Sequence, residues 1–241
     1  MARFDISGSV GRGLNPVDNR ARDVAIRQEI EPPEVEKQMK IEEVKNTLEP
    51  MQVDKYMTEQ NPLLTAAMKT VDWEGRKDKD GNLAVYKLPS GDMGGNYEVA
   101  GINDRYHPEA FKAISSLPPQ DRAQAAAKYI QSYTAPLVER LPQALQPFTQ
   151  DMAFNRGLGG ATKYLQQGLN ALGQKVAIDG GIGPQTLQAI NQVDPRSLMR
   201  EASKAQLDEE YRRASEDPDR KKFIPGLESR IRNRLSTFGQ G

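Results

Sequence analysis

The chain has no cysteine and one histidine, His107. The first absence excludes disulfide staples, thiolate nucleophiles and every cysteine-ligated zinc or iron–sulfur centre. The second excludes multi-histidine metal sites and makes any serine-type triad depend on His107. No apolar run approaches the roughly 18 residues that a membrane-spanning helix needs. The opening stretch, MARFDISGSVGRG, lacks the hydrophobic segment of a secretory signal. Nor does one charge dominate, since 33 Lys and Arg stand against 33 Asp and Glu. A whole-surface binder of nucleic acid or anionic membrane is therefore not expected. What is present is 241 residues, enough for one large or two small domains with a buried core. Chemistry on such a chain runs on carboxylates, and no cofactor and no metal is implied.

Residues 1–60 differ from the rest: they hold 9 basic and 12 acidic residues and little bulky apolar content. Pro32-Pro33 divides two helix-like stretches. The second, Glu34 to Leu48, places Val35, Met39, Val44 and Leu48 on a narrow stripe. So thin a stripe reads as a solvated linker helix or as a docking segment for a partner. At Asn61-Pro62 the character changes, because Asn caps a helix and Pro suits its first position. NPLLTAAMKTVDW reads as a short buried helix ending at Glu74-Gly75. A glycine-rich stretch to Gly101 follows, in which NLAVYKLP is the convincing strand-like run and two or three short strands fit. From His107 onward the pattern is helical. Helices are expected from Pro108, from Pro119 to Tyr133, from Pro142 to Asn155 and from Gly160 to Leu172. Others follow from Pro184, from Pro195 to Ser215 and from Phe223 to Phe238. Between Arg220 and Gly241 stand 6 basic residues and one acidic, which fits either contact with an anionic surface or a solvated helix end.

The candidate site lies where the first buried helix meets the glycine-rich stretch. Glu74, at the end of an apolar helix beside the only tryptophan, Trp73, is placed for desolvation. Desolvation raises a carboxyl pKa and keeps a general acid protonated. Asp92, flanked by glycines in Ser90-Gly91-Asp92-Met93-Gly94-Gly95, belongs in a solvated loop and stays ionised. Two carboxyls in contrasting environments are what glycoside hydrolysis uses. Trp73, Tyr97 and Asn155 are the candidate substrate contacts.

The residues E74-G, D92-M-G-G and A100-G-I102-N resemble the EGGY…DPGG…YGI pattern of glycoside hydrolase family 108, the phage and bacterial N-acetylmuramidases. A126-A-K-Y-I-Q-S-Y133 is similar to that family's EAAxIYxxxYW helix, and D151-M-A-F-N155-R-G157 to its DxAxNxG segment. Y164-L-Q-Q167…I178-D-G-G-I-G-P-Q-T-L187 resembles the LQ…DGxxGPxT element of the associated peptidoglycan domain. F223-I-P-G-L-E-S-R230 resembles the KFxxGWxxR ending. The likeness covers about residues 62–238. It implies a mainly α, lysozyme-like helical domain with a small β-hairpin element over the cleft, preceded by an extended helical N-terminal segment. The implied divisions are 1–60 as tether, 61–150 as catalytic part and 151–241 as peptidoglycan-domain-like part. The implied activity is cleavage of the peptidoglycan glycan strand, with Glu74 as general acid. EGGY stands here as EGRK and DPGG as DMGG, about 17 residues beyond Glu74, so the second carboxylate lies open between Asp92 and Glu98.

Other readings belong beside this one: a virion structural or wall-binding protein with a degenerate site, a lytic transglycosylase, or a free endolysin. A wall-degrading chain without signal or membrane span reaches the wall by lysis or as part of a phage virion. The polar residues 1–60 favour the virion, with tail proteins as partners. In DGGIGPQT the glycines permit left-handed turns and Pro184 starts a helix, so the motif serves either wall binding or architecture. D78-K-D80-G-N82 begins like a calcium loop, but its glycine is misplaced and Pro89 stands at the twelfth position. His107 reads as the flank of a helix start.

Overall fold

The computed structural model describes residues 61–89 and 95–239. Residues 1–60, with the expected helical tether, and Asp92 lie outside the described residues. Thr58–Gly241 forms one compact unit, mainly α-helical with a small antiparallel sheet, as the sequence leads one to expect.

Helix α1 (Pro62–Glu74) starts as its sequence dictates: the Asn61 side chain accepts from the Leu64 amide at 3.1 Å, and Pro62 occupies the first turn. Its apolar face buries Leu64, Ala66, Ala67 and Val71. Strands β1 (Tyr86–Lys87), β2 (Tyr97–Val99) and β3 (Ile102–Asn103) form a sheet in that order, with Tyr86 opposite Glu98 and Val99 opposite Ile102. The register leaves Ala100 and Gly101 as a two-residue turn. Both have positive φ, 49° and 79°, as the primed hairpin turn requires. A Cβ added to Gly101 would stand 3.0 Å from a Phe154 ring carbon and 3.7 Å from Glu74 Cγ. The turn is thus laid directly over the candidate acid, and its glycine makes the approach possible.

Helices α2 (Pro108–Ser115) and α3 (Arg122–Val138) follow, α2 starting at His107. The His107 Nδ1 lies 2.7 Å from the Tyr129 hydroxyl, and its ring meets Tyr133 and Phe154. Burial holds the His107 pKa below its ordinary value. The imidazole is therefore a neutral member of an aromatic cluster. Helix α4 (Gln146–Ala171) is interrupted at Gly157, with φ 73° and ψ 160°. The expected helices on either side of that glycine are its two halves. Position 150, the expected boundary between catalytic and C-terminal parts, lies inside α4, and one hydrophobic cluster draws on both sides of it, from Leu145 and Phe148 to Leu198. A second cluster joins α1, the sheet, α2 and α3 through Leu64, Ile102, Ile114 and Ile130, with Phe154 packed against it.

Helices α5 (Pro184–Ile190), α6 (Pro195–Glu216) and α7 (Ile224–Phe238) complete the order. The DGGIGPQT loop ahead of α5 uses its polar atoms internally. Buried Gln166 donates to Asp179 at 2.7 Å and to the Gly181 carbonyl at 2.9 Å, and accepts from the Gly180 amide at 2.9 Å. Ile182 is buried in the core, and Arg140 donates to its carbonyl. Of the two readings of this motif, architecture has the direct support. The Asp78 carboxylate likewise accepts the Asp80 and Asn82 amides, both at 2.9 Å, in a local turn.

Candidate functional site

Glu74 ends α1, where Gly75 turns the chain into extended backbone. Its carboxylate faces α7: Arg230 Nη1 lies 3.2 Å from Glu74 Oε1. The same guanidinium reaches Asp151 on α4, with Nη2 at 2.5 Å from Oδ1 and Nε donating to Oδ2 at 3.4 Å. Asp151 is fully buried, and so is Arg234, whose Nη1 lies 3.6 Å from Asp151 Oδ2. The Thr70 hydroxyl on α1 donates to Asp151 at 2.8 Å. Three helices distant in sequence therefore meet on one buried carboxylate. A buried charge is tolerated only when paired and hydrogen-bonded, and Asp151 is both.

Two effects oppose each other at Glu74. Burial beneath the hairpin turn and α7 raises its pKa and is the larger influence. The Arg230 charge and a hydrogen bond from Asn155 lower it, while the negative charges of Asp151 and Glu98 raise it further. The balance lies above 4.5. This is the environment of a general acid: a carboxyl biased toward its protonated form, yet 29% exposed at its side chain and so open to substrate.

The cleft in front of Glu74 encloses about 440 Å³. Trp73 and Glu74 from α1 and Asn155 from α4 form one side. Phe223 and the α7 residues Leu227, Ser229, Arg230 and Asn233 form the other. The Trp73 ring meets the Arg230 guanidinium, 4.7 Å from its centroid, and the Phe238 ring in an edge-type contact with centroids 5.7 Å apart. The expected Glu74, Trp73 and Asn155 are thus brought together. Glu98 on β2 accepts from the Tyr86 hydroxyl, whose pKa burial and the Glu98 charge push up. Tyr97 is 45% exposed, with its amide donating to Asp104, and does not line the cleft.

Asp151, Arg230 and Arg234 were not foreseen as site residues, although two of them stand in the matched motifs. Their pairing spans 79 residues in sequence, which no local spacing rule reveals. The basic surplus at the end of the chain also needs correction. Arg230 and Arg234 turn inward to Asp151, and Arg220 turns to Glu210 at 3.4 Å. Much of that charge is neutralised inside the fold, so this stretch is neither a continuous cationic face nor a merely solvated helix end.

Residues 160–232 match the family model described as "Predicted Peptidoglycan domain". The region runs from the second half of α4 through most of α7, and it includes Arg230. The solved structure of SagA from Brucella abortus is similar in fold, with a TM-score of 0.51 and 21% identity, covering 74% of this chain and 96% of that one. No curated protein sequence matches the chain.

Asp151→Asn should therefore destabilise the protein by about 3–5 kcal/mol, because Arg230 and Arg234 lose their buried counter-charge. Thr70→Val, which removes one hydrogen bond to the same carboxylate, should cost about 1 kcal/mol. Urea unfolding followed by circular dichroism measures both. Equal, small effects would show that the pairing contributes little.

Proposed function

We propose that the protein is a peptidoglycan glycan-strand hydrolase of the N-acetylmuramidase type, related to glycoside hydrolase family 108, with Glu74 as its acid. The observation that carries this reading is that Glu74 and the peptidoglycan-domain region share one cleft, through the Arg230 contact. Glu74 donates its proton to the leaving glycosidic oxygen as positive charge develops at the anomeric carbon. Water then attacks that carbon, assisted by an ionised carboxylate, either Glu98 or Asp92. Arg230 fixes the direction of the Glu74 carboxylate and is itself held by Asp151.

A second reading has a specific observation behind it. Glu98 is engaged by Tyr86, and among the described residues lining the cleft Glu74 is the sole carboxyl. One acid/base suffices for lytic transglycosylation, in which a sugar hydroxyl replaces water as nucleophile and an anhydro ring results. Glu74→Gln should lower lysis of purified cell walls by about 10²–10⁴ while leaving the melting temperature within a few degrees. Wild-type lysis by that variant would remove Glu74 from the mechanism. Mass spectrometry of the wild-type products decides the chemistry: reducing ends support hydrolysis, and anhydro ends support transglycosylation.

Residues 1–60 are assigned the role of tether to a phage tail, on their polar composition and narrow apolar stripe. A chain beginning at Thr58 should keep its melting temperature and its lysis of purified walls but no longer join the particle. Loss of lysis with stability intact would instead make the segment part of the active site.

A further inference from the structure

We infer that wall binding by the C-terminal region takes place in the catalytic cleft itself, with Phe223, Leu227 and Asn233 forming a saccharide subsite beside Glu74 and Phe223 as its stacking platform. This rests on the reading of Glu74 as an acid acting on peptidoglycan. A region matched to a peptidoglycan domain could hold the wall at a surface of its own, remote from the acid, or supply one side of the acid's cleft. The geometry favours the second. Of the residues lining the cleft, Phe223, Gly226, Leu227, Ser229 and Arg230 fall within 160–232, and Asn233 is the next residue beyond it.

Phe223, which precedes the first turn of α7, is 55% exposed and meets the Lys222 ammonium 5.1 Å from its ring centroid, so a flat aromatic surface is presented to solvent at the edge of the cleft. The turn that presents it is tied to α6 by an ion pair. Arg220, three residues earlier, pairs with Glu210 on α6, which is almost fully buried and also pairs with Arg156 at 2.8 Å. Arg156 follows Asn155, which lines the opposite side of the cleft. Buried Glu210 therefore ties the segment that carries Phe223 to the residue next to Asn155. A hexosamine chain has a matching surface: C–H faces that stack on a flat ring, and hydroxyl and acetamido edges for Asn155, Ser229 and Asn233.

Two other places in the matched region fit a sugar less well. The DGGIGPQT loop has its polar groups engaged by Gln166 and Arg140, leaving the Ile178 side chain as its exposed apolar group. The cavity of about 370 Å³ between α4 and α6 has no aromatic lining, and its Glu209 and Arg212 are paired with each other.

The test is co-sedimentation of the full chain with purified insoluble peptidoglycan, in a Glu74→Gln background so that the wall is not digested. Phe223→Leu, which keeps apolar bulk but loses the flat ring, should weaken binding about tenfold. Phe223→Tyr should bind as the parent does, and so should Ile178→Ser on the loop. Thermal melting of each variant reports on folding, and the exposure of both positions makes unfolding a small risk. Undiminished binding by Phe223→Leu, or weakened binding by Ile178→Ser, would overturn the inference and put the wall contact elsewhere. Failure of the Glu74→Gln chain itself to bind peptidoglycan would overturn the peptidoglycan reading together with the subsite.

Discussion

The buried carboxylate of Asp151 is the constraint around which the site is arranged. An ionised group without solvent must find partners, and here they come from two other helices: Thr70 from α1, and Arg230 and Arg234 from α7. Removing Asp151 leaves two guanidiniums without their counter-charge, so α1, α4 and α7 are joined through one group. Glu74 inherits that arrangement. Its carboxylate lies at the solvent-facing end of the same chain of charges, touching Arg230 but not sealed from the cleft. Structural pairing with Asp151 at one end of Arg230 and contact with the proposed acid Glu74 at the other share a single guanidinium, whose planar fork can serve two carboxylates where an ammonium would serve them less well.

The cover over Glu74 has a different origin. The turn at Ala100-Gly101 approaches because position 101 has no side chain, and Phe154 from α4 closes the same space. Burial of Glu74 thus depends on a hairpin of very short strands backed by an α4 that reaches both hydrophobic clusters. The sheet adds Val99 and Ile102, both fully buried, to the second cluster. Its work is to place one turn over one carboxyl and to set Tyr86 and Glu98 near it.

Much of this was legible in the sequence, and the reason differs from element to element. Asn61-Pro62 marks a helix start because caps and prolines act over three or four residues, and Asn61 accepts the Leu64 amide; Pro195 likewise starts α6, with Asp194 accepting the Ser197 amide as a cap that the structure adds. Gly157 was legible as a break between two helices. Glu74 and Asn155 were legible through motif resemblance, and Trp73 through its place beside Glu74. The Asp151–Arg230 pairing was not, since ionic partners 79 residues apart leave no periodic trace. For the same reason the arginines near the end of the chain looked like a basic tail; net charge says nothing of which residues turn inward. Tyr86 as the partner of Glu98 needed the strand register, which two-residue strands do not advertise.

Glu74 is a desolvated carboxyl restrained by Arg230, and its titration can be followed directly by the side-chain carboxyl carbon signal in NMR. Burial exceeds the effect of Arg230, so the midpoint in the wild-type protein should lie above 4.5. A nearby positive charge favours the ionised form, so Arg230→Gln should move the midpoint higher still. A wild-type midpoint at or below 4.5, or one unmoved by Arg230→Gln, would contradict the account.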